Sequence, residues 1–281
     1  MAVILIGAAA LSWWTESGMS WLVISMTIML AGVSFLDDRR PLPWWLRLGF
    51  QLVAATAVVV YLLNESPLEN IWLACLLVAL LAGYANAVNF MDGINGLVAA
   101  QTAVSGVGLA TIALLGGISP MHPAVVGSVL LAGAAAGFLP HNFPRARMFM
   151  GDVGSVPLGF LLMLLTVWLA RVGGGWLWLP LGALHAGFIL DTSLTMARRA
   201  LRRETLHHAH REHFYQRLIR ADWTHKRVTT VETMLQVAVV VAAISAVGRG
   251  WAAAVTAAGF SIVLWLVFFA VVELIFRRHT H

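Results

Sequence analysis

Carboxylates, amides and imidazoles gather at four places in this chain: Asp37-Asp38, Asn86-Ala-Val-Asn89-Phe-Met-Asp92-Gly93, Gly151-Asp152 and His210-Arg-Glu-His213, each between two long apolar runs. Adjacent acids such as Asp37 and Asp38 point in different directions if helical, so one can serve a divalent cation and the other a phosphate. Asn86 and Asn89, three apart, share a helix face. Their amides either knit neighbouring helices together or, with Asp92 and Asn95, read the polar edges of a nucleotide. Asp92-Gly93 and Asn95-Gly96 also suit turns. Asp152 lies between Gly151 and Gly154, whose backbone freedom lets the chain wrap an anion or metal; an acid there also suits a helix N-terminus. His210, Arg211 and His213 lie within a turn or two and can donate hydrogen bonds to a pyrophosphate. No acid and histidine pair among them has zinc spacing. Asp191, near the end of an apolar run, is a functional candidate because an acid so close to lipid is costly. Collected on one face, these groups describe a site for a metal and phosphates that a lipid can reach sideways.

The elements that must position them are membrane helices. Hydrophobic residues make up 60% of the 281 positions and charged residues 11%, outside the range of a soluble domain. A bilayer core roughly 30 Å thick needs about 20 apolar residues per helix. Ten spans are expected, near 2–14, 19–36, 44–63, 70–88, 96–118, 122–140, 153–171, 176–196, 228–247 and 250–276. The fold class is therefore all-α, a polytopic bundle forming one membrane-embedded domain over 1–281. The first run starts at Met1 without a basic flank and does not read as a cleavable signal. If the spans alternate, the connections at 37–47, 89–95, 141–152 and 197–227 share a face with the tail from Arg277. Of the 18 lysines and arginines, all but Arg171 and Arg249 fall there, which makes that face cytoplasmic. The net charge of +5 thus describes topology, and no nucleic-acid partner is implied. Cys75, inside an apolar run, reads as a small packing residue. The tryptophans gather near span ends as interfacial anchors, and His122, His141, His185 and His225 have structural roles.

The order of these motifs resembles the polyprenyl-phosphate N-acetylhexosamine-1-phosphate transferases, relatives of the phospho-MurNAc-pentapeptide translocase. The matching pieces are Phe35-Leu36-Asp37-Asp38-Arg39, Asn86 through Leu97, Asn142 through Ser155, and His210-Arg-Glu-His213-Phe-Tyr-Gln-Arg-Leu. The resemblance implies that Asp152 binds Mg2+, with Mn2+ able to substitute, and that Asp37 and Asp38 help hold metal and lipid phosphate. It implies that Asn89, Asp92, Asn142 and Phe149 surround the uridine of the donor, Phe149 stacking on the base. His210, Arg211 and His213 would engage the donor's diphosphate or sugar. The His-x-x-His-x-Tyr-Gln form is similar to the branch that starts O-antigen and other surface glycans. The implied partners are polyprenyl phosphate, a UDP-N-acetylhexosamine, the bacterial cytoplasmic (inner) membrane and a homodimeric copy. The span and Arg-Ser-x-His to Pro-Thr-Pro-Arg-Gly-Gly-Gly loop with which members usually begin have no counterpart in these residues. Peptidoglycan-type transfer, secondary transport and non-catalytic lipid binding are the alternatives.

Overall fold

The computed structural model describes residues 18–63, 71–205 and 211–280. These residues form helices and connections, with no strand among them. Pro41 and Pro43 separate α1 (Gly18–Arg39) from α2 (Trp44–Leu63), since proline cannot continue a helix but can precede one. They are followed by α3 (Ile71–Met91), α4 (Leu97–Leu115), α5 (Pro123–Asn142) and α6 (Asp152–Gly173). A 3₁₀ turn, Gly175–Leu177, leads into α7 (Trp178–Ala183) and α8 (Ala186–Leu201). The short α9 (Phe214–Arg220) precedes α10 (His225–Ala246) and α11 (Gly250–Thr280).

Eight of these helices are long and apolar enough to cross a membrane, and they match eight of the ten expected spans. The expected span at 2–14 lies outside the described residues, as does the 64–70 connection. The span expected at 176–196 is not a straight helix: its two halves meet at 70°. Side chains from neighbouring helices stabilise the break. Gln236 Nε2 of α10 donates to the Leu184 carbonyl at 2.7 Å, and His185 sits buried 2.6 Å from Thr166 Oγ1 of α6. In lipid, a carbonyl released by a broken helix needs such a partner.

Helix α6 is the hub, packed against α1, α3, α4 and α5. Of its apolar stretch 83% is buried, against 28% for α11 at the periphery. Close approach is possible because small residues face one another. A Cβ at Gly159 would stand 2.8 Å from Val88 Cβ and 3.0 Å from Ala85 Cα of α3. Buried amides tie α4 to α10: Gln101 Nε2 donates to the Glu232 carbonyl at 2.9 Å and Gln236 Nε2 to Ser105 Oγ at 2.9 Å.

Two smaller expectations change. Trp265 is no interfacial anchor: it is 1% exposed and packs where Gly187 leaves room on α8. Cys75 faces outward from α3, on the surface the bundle presents to lipid. The four polar connections do share one end. Asp38 reaches the start of α6, Asn95 Nδ2 donates to the Pro144 carbonyl at 3.2 Å, and Thr229 Oγ1 donates to the Asn95 carbonyl at 2.7 Å. Arg171, in the last turn of α6, and Arg249, between α10 and α11, lie at the other end.

Replacing Gly159 by leucine should wedge α3 from α6 and cost about 1–3 kcal/mol, read as a lower melting temperature in detergent. Gly133→Leu on α5, where a Cβ meets nothing within 4 Å, should leave melting near the wild-type value.

Candidate active site

The site is built on the first turn of α6. Gly151 precedes it at φ +63°, a conformation glycine adopts without steric cost. The orphan N–H groups of the new helix then point at the Asp38 carboxylate: Oδ1 accepts from Asp152 N at 3.2 Å and Oδ2 from Val153 N at 3.1 Å. A helix N-terminus favours such an anion by both hydrogen bonding and dipole. The end of α1 is thereby fastened to the start of α6. Beside it, Asp37 Oδ1 accepts from Leu42 N at 2.7 Å and Oδ2 from Arg47 Nη1 at 2.6 Å. The same Arg47 nitrogen stands 3.5 Å from Asp152 Oδ2, so one guanidinium spans two carboxylates. Asn89 completes this corner: its Oδ1 accepts from Ser155 Oγ at 2.6 Å, and its amide side hydrogen-bonds Asp152.

Asp92 enters from the turn after α3. Burial, then the charges of Asp152 and Asp38, push its carboxyl up from 3.8 to about 7, partly opposed by a hydrogen bond from the Gly151 backbone. Three carboxylates therefore crowd one another here. The adjacent turn is fixed by Tyr215 of α9, whose hydroxyl donates to the Phe90 carbonyl at 2.9 Å and accepts from Gln216 Nε2 at 3.0 Å. A Cβ at Gly93 would collide with that hydroxyl, so only glycine lets the tyrosine reach its carbonyl. Burial and the nearby Asp191 charge hold the phenol proton on.

These groups wall a cavity of about 660 Å³. Asn86, Asn89, Asp92, Asp152, His213 and Gln216 line it together with Leu30, Val33, Trp44, Leu48 and Val156. The cavity thus combines charged and amide groups with apolar side chains among membrane helices. His213 is aimed by Asp191, which is 3% exposed. Its Oδ1 lies 2.8 Å from His213 Nδ1 and its Oδ2 accepts from Phe214 N at 3.0 Å. Thr195 Oγ1 donates to Asp191 as well, at 3.2 Å.

The residues singled out from sequence therefore fall into groups. Asn86, Asn89, Asp92, Asp152 and His213 line the cavity, with Asp37 and Asp38 bonded to its rim. Asp191 stands behind His213. Asn142 is a brace: buried, it accepts from Gly96 N at 2.6 Å and donates to the Met148 carbonyl at 2.7 Å, so both ends of its amide are engaged. Asn95 is another, holding Pro144 and α10. Phe149, 80% exposed, stands on the connection these braces shape. Arg211 is exposed and off the cavity wall, and His210 lies outside the described residues. Of the unassigned histidines, His122 caps α5 by accepting from Ala124 N, and His225 Nδ1 accepts from Asn95 N.

Arg47, Gln51, Ser155, Tyr215 and Gln216 received no site role from sequence. For two of them a signal existed: Arg47 and Gln51 are four apart in an otherwise apolar helix, hence on one face. Gln51 exchanges amide hydrogen bonds with Asn86, and both Arg47 and Gln51 line the cavity. Among the described residues, no three Asp, Glu, His or Cys side chains form a ready-made metal cage.

Glycosyl transferase family 4 matches residues 20–170, a stretch that includes Asp37, Asp38, Asn89, Asp92 and Asp152. The decaprenyl-phosphate N-acetylglucosaminephosphotransferase of Mycolicibacterium smegmatis is 34% identical over 164 residues, covering 52% of this chain and 40% of that protein. A probable undecaprenyl-phosphate N-acetylglucosaminyl 1-phosphate transferase of Bacillus subtilis is 28% identical over 235 residues, covering 78% and 63%. A phospho-N-acetylmuramoyl-pentapeptide-transferase of Lacticaseibacillus paracasei is 27% identical over 171 residues, covering 54% and 52%. The chain thus spans about half the length of the relatives it matches. Because the family match covers more than half of the 281 residues, the chain belongs to glycosyl transferase family 4.

Proposed function

We propose that this chain transfers N-acetylhexosamine-1-phosphate from a UDP-sugar to polyprenyl phosphate at the cytoplasmic face of a bacterial membrane, releasing UMP. The product, a polyprenyl-diphospho-sugar, would start O-antigen or another surface glycan. The observation that carries this reading is the two-natured cavity. Its carboxylates and amides suit a soluble nucleotide-sugar, and its apolar residues Leu30, Val33, Leu48 and Val156 suit a prenyl chain. The names of the mycobacterial and Bacillus relatives support the same pairing of polyprenyl phosphate with a phosphosugar.

In the proposed reaction an oxygen of the lipid phosphate attacks the β-phosphorus of the donor. The bond from that phosphorus to the bridging oxygen breaks, and UMP leaves with the electron pair. No base has to act first, since a phosphomonoester has a second pKa of roughly 6 and is largely dianionic near neutrality. The obstacle is repulsion between two anions. His213, held by Asp191, can donate from its other ring nitrogen to the diphosphate when protonated, and Arg47 adds positive charge at the same end.

The donor set fits a hard divalent cation. Asp92 and Asp152 both face the cavity, and burial first, then the neighbouring Asp152 and Asp38 charges, raises the Asp92 carboxyl. Asp37 and Asp38 have their oxygens engaged by Arg47 and by backbone N–H groups. Mg2+, or Mn2+ in its place, would therefore be held chiefly by Asp92 and Asp152, with Asp37 and Asp38 keeping that pair in position; such ions complete their shell with water and phosphate oxygens. When bound, the ion supplies charge compensation for the phosphates. A secondary-transport reading is disfavoured because transporters place such groups near the bilayer midplane, whereas these sit at helix ends.

Purified protein supplied with undecaprenyl phosphate, Mg2+ and a panel of UDP-N-acetylhexosamines should release UMP and form labelled lipid with at least one donor. Asp152→Asn should lower that release by about 100-fold or more with little change in melting; full activity in the variant would remove Asp152 from its role. Preference for the muramoyl-pentapeptide donor would place the chain with the peptidoglycan-type relatives instead.

Asp92 also sets a pH dependence. A carboxyl raised to about 7 in the fold from 3.8 binds its proton more tightly when folded. It therefore contributes stability at acid pH that is lost as pH rises through about 7. In chelator, Asp92→Asn should gain on the wild type by an amount on the order of 2 kcal/mol between about pH 5 and pH 8, followed by melting. An unchanged difference at the two pH values would show that Asp92 is not strained.

A further inference from the structure

A second concave surface lies on the other side of α8 and α9 from the cavity. It has a volume of about 460 Å³. Leu194 of α8, Phe214 of α9 and Leu266, Phe269 and Leu274 of α11 form its apolar walls. Phe214 and Phe269 stack there at 4.4 Å. Leu266 and Leu274 are 41% and 57% exposed on the outer helix, so the groove opens toward lipid and not toward the bundle interior.

The groove changes character along a single face of α11. Leu266, Phe269, Glu273 and Arg277 follow one another at helical spacing, passing from apolar to charged as the helix nears the cytoplasmic end. At that end Glu273 gathers three guanidiniums: Arg198 Nη1 at 3.1 Å, Arg217 Nη1 at 2.6 Å and Arg277 Nε at 2.9 Å. Glu212 also bears on Arg217 and Asp222 pairs with His279, but Arg198, Arg217, Arg220, Arg277 and Arg278 outnumber Glu273 and these two acids. The exposed Arg278 and Arg220 lie in the same region, Arg220 packing over Phe276. Apolar walls at acyl depth, capped by an arginine cluster at head-group level, match an amphiphile with an anionic head.

We propose that this groove is a binding site for an anionic phospholipid of the cytoplasmic leaflet, of the phosphatidylglycerol type. Its acyl chain lies against Phe269 and Leu266, and its phosphate faces the Arg198 and Arg277 guanidiniums. The site is distinct from the cavity, because neighbouring residues of one short helix serve each: His213 and Tyr215 line the cavity, whereas Phe214 lines the groove. A lipid held here packs against the back of the helix that presents His213. Charge complementarity favours this occupant over a second copy of the chain, whose own cytoplasmic end would bring more arginine to the contact. It stands independently of the proposed transfer reaction.

The test uses the full chain in nanodiscs that contain equal mole fractions of photoactivatable phosphatidylglycerol and photoactivatable phosphatidylcholine, with labelled peptides mapped by mass spectrometry. Phosphatidylglycerol should label the Leu194–Arg198 and Leu266–Arg277 segments several-fold more than phosphatidylcholine. Near an anionic head each arginine contributes about five-fold in partitioning, so Arg277→Glu should lower the phosphatidylglycerol label by about five-fold or more and leave the phosphatidylcholine label unchanged. Arg277→Lys should retain it. The Arg277 side chain is 70% exposed, so the fold should survive these changes, with melting as the check. Equal labelling by the two lipids would overturn the proposal, as would indifference to charge reversal. So would displacement of the label by unlabelled polyprenyl phosphate, which would assign the groove to the prenyl lipid, or loss of the label upon dimerisation, which would assign it to a second copy.

Discussion

The arrangement depends on one carboxylate. Asp38 closes the exposed N-terminus of α6 with both of its oxygens, and in doing so joins parts of the chain 114 residues apart. A cap of this kind is worth about 1 kcal/mol in isolation, but its consequence is geometric. It sets the rotation of the first turn of the most buried helix, and therefore where Asp152 and Ser155 point. Through the adjacent Asp37 it also anchors Arg47 at the start of α2. The cap adds negative charge beside Asp152 and Asp92, and the dipole of α6 offsets part of that charge. A dense acidic corner can persist at this point because the helix end beneath it is positive.

The membrane explains why the polar chemistry divides as it does. Within the apolar stretches, several polar side chains are neutral and paired: Gln101 with the Glu232 carbonyl, Gln236 with Ser105 and Leu184, Thr166 with His185. Each such bond contributes about 1 kcal/mol or less in a bilayer, so the bundle depends equally on close packing such as Gly159 against Val88. The charged site groups sit at helix ends where water is near. Asp191 and Glu232 are the deeply buried carboxyls among the described residues, and Asp191 is well satisfied, with donors from Phe214 N and Thr195 and an imidazole at 2.8 Å. That degree of satisfaction is what burying a carboxylate requires.

Eight of the expected spans, the shared end of the polar connections and five residues of the cavity wall, Asn86, Asn89, Asp92, Asp152 and His213, were legible from residue type and order, because hydropathy and arginine placement respond directly to the bilayer. Sequence could not separate residues that face the cavity from residues that brace it. Asn89 and Asn142 are both amides beside helix ends, yet one lines the cavity and the other is consumed by Gly96 N and the Met148 carbonyl. Nothing local distinguishes them; the difference arises from partners 46 residues away. The bend between α7 and α8 was hidden for the same reason. The run from 176 to 196 is apolar enough to span, and what permits its break is Gln236, more than 50 residues downstream. Arg47 was overlooked because one arginine near a span end serves topology as well as chemistry. Only its pairing with Gln51 on one face of α2 marked it out.

The bend links these features. A straight helix over 176–201 would carry Met196 and Asp191 along one axis. The turn of 70° at Leu184 and His185 instead sends α8 in a new direction, with Met196 on the cavity and Leu194 on the outer groove. Helix α9 repeats the same alternation in its first residues, and Asp191 couples the two helices by holding both His213 and the Phe214 backbone. The pair α8 and α9 therefore forms a thin wall with the acidic corner on one side and the arginine cluster on the other. His213 on the cavity and Phe214 on the groove are successive residues, so a single peptide unit separates the charged interior from the membrane-facing surface of the bundle.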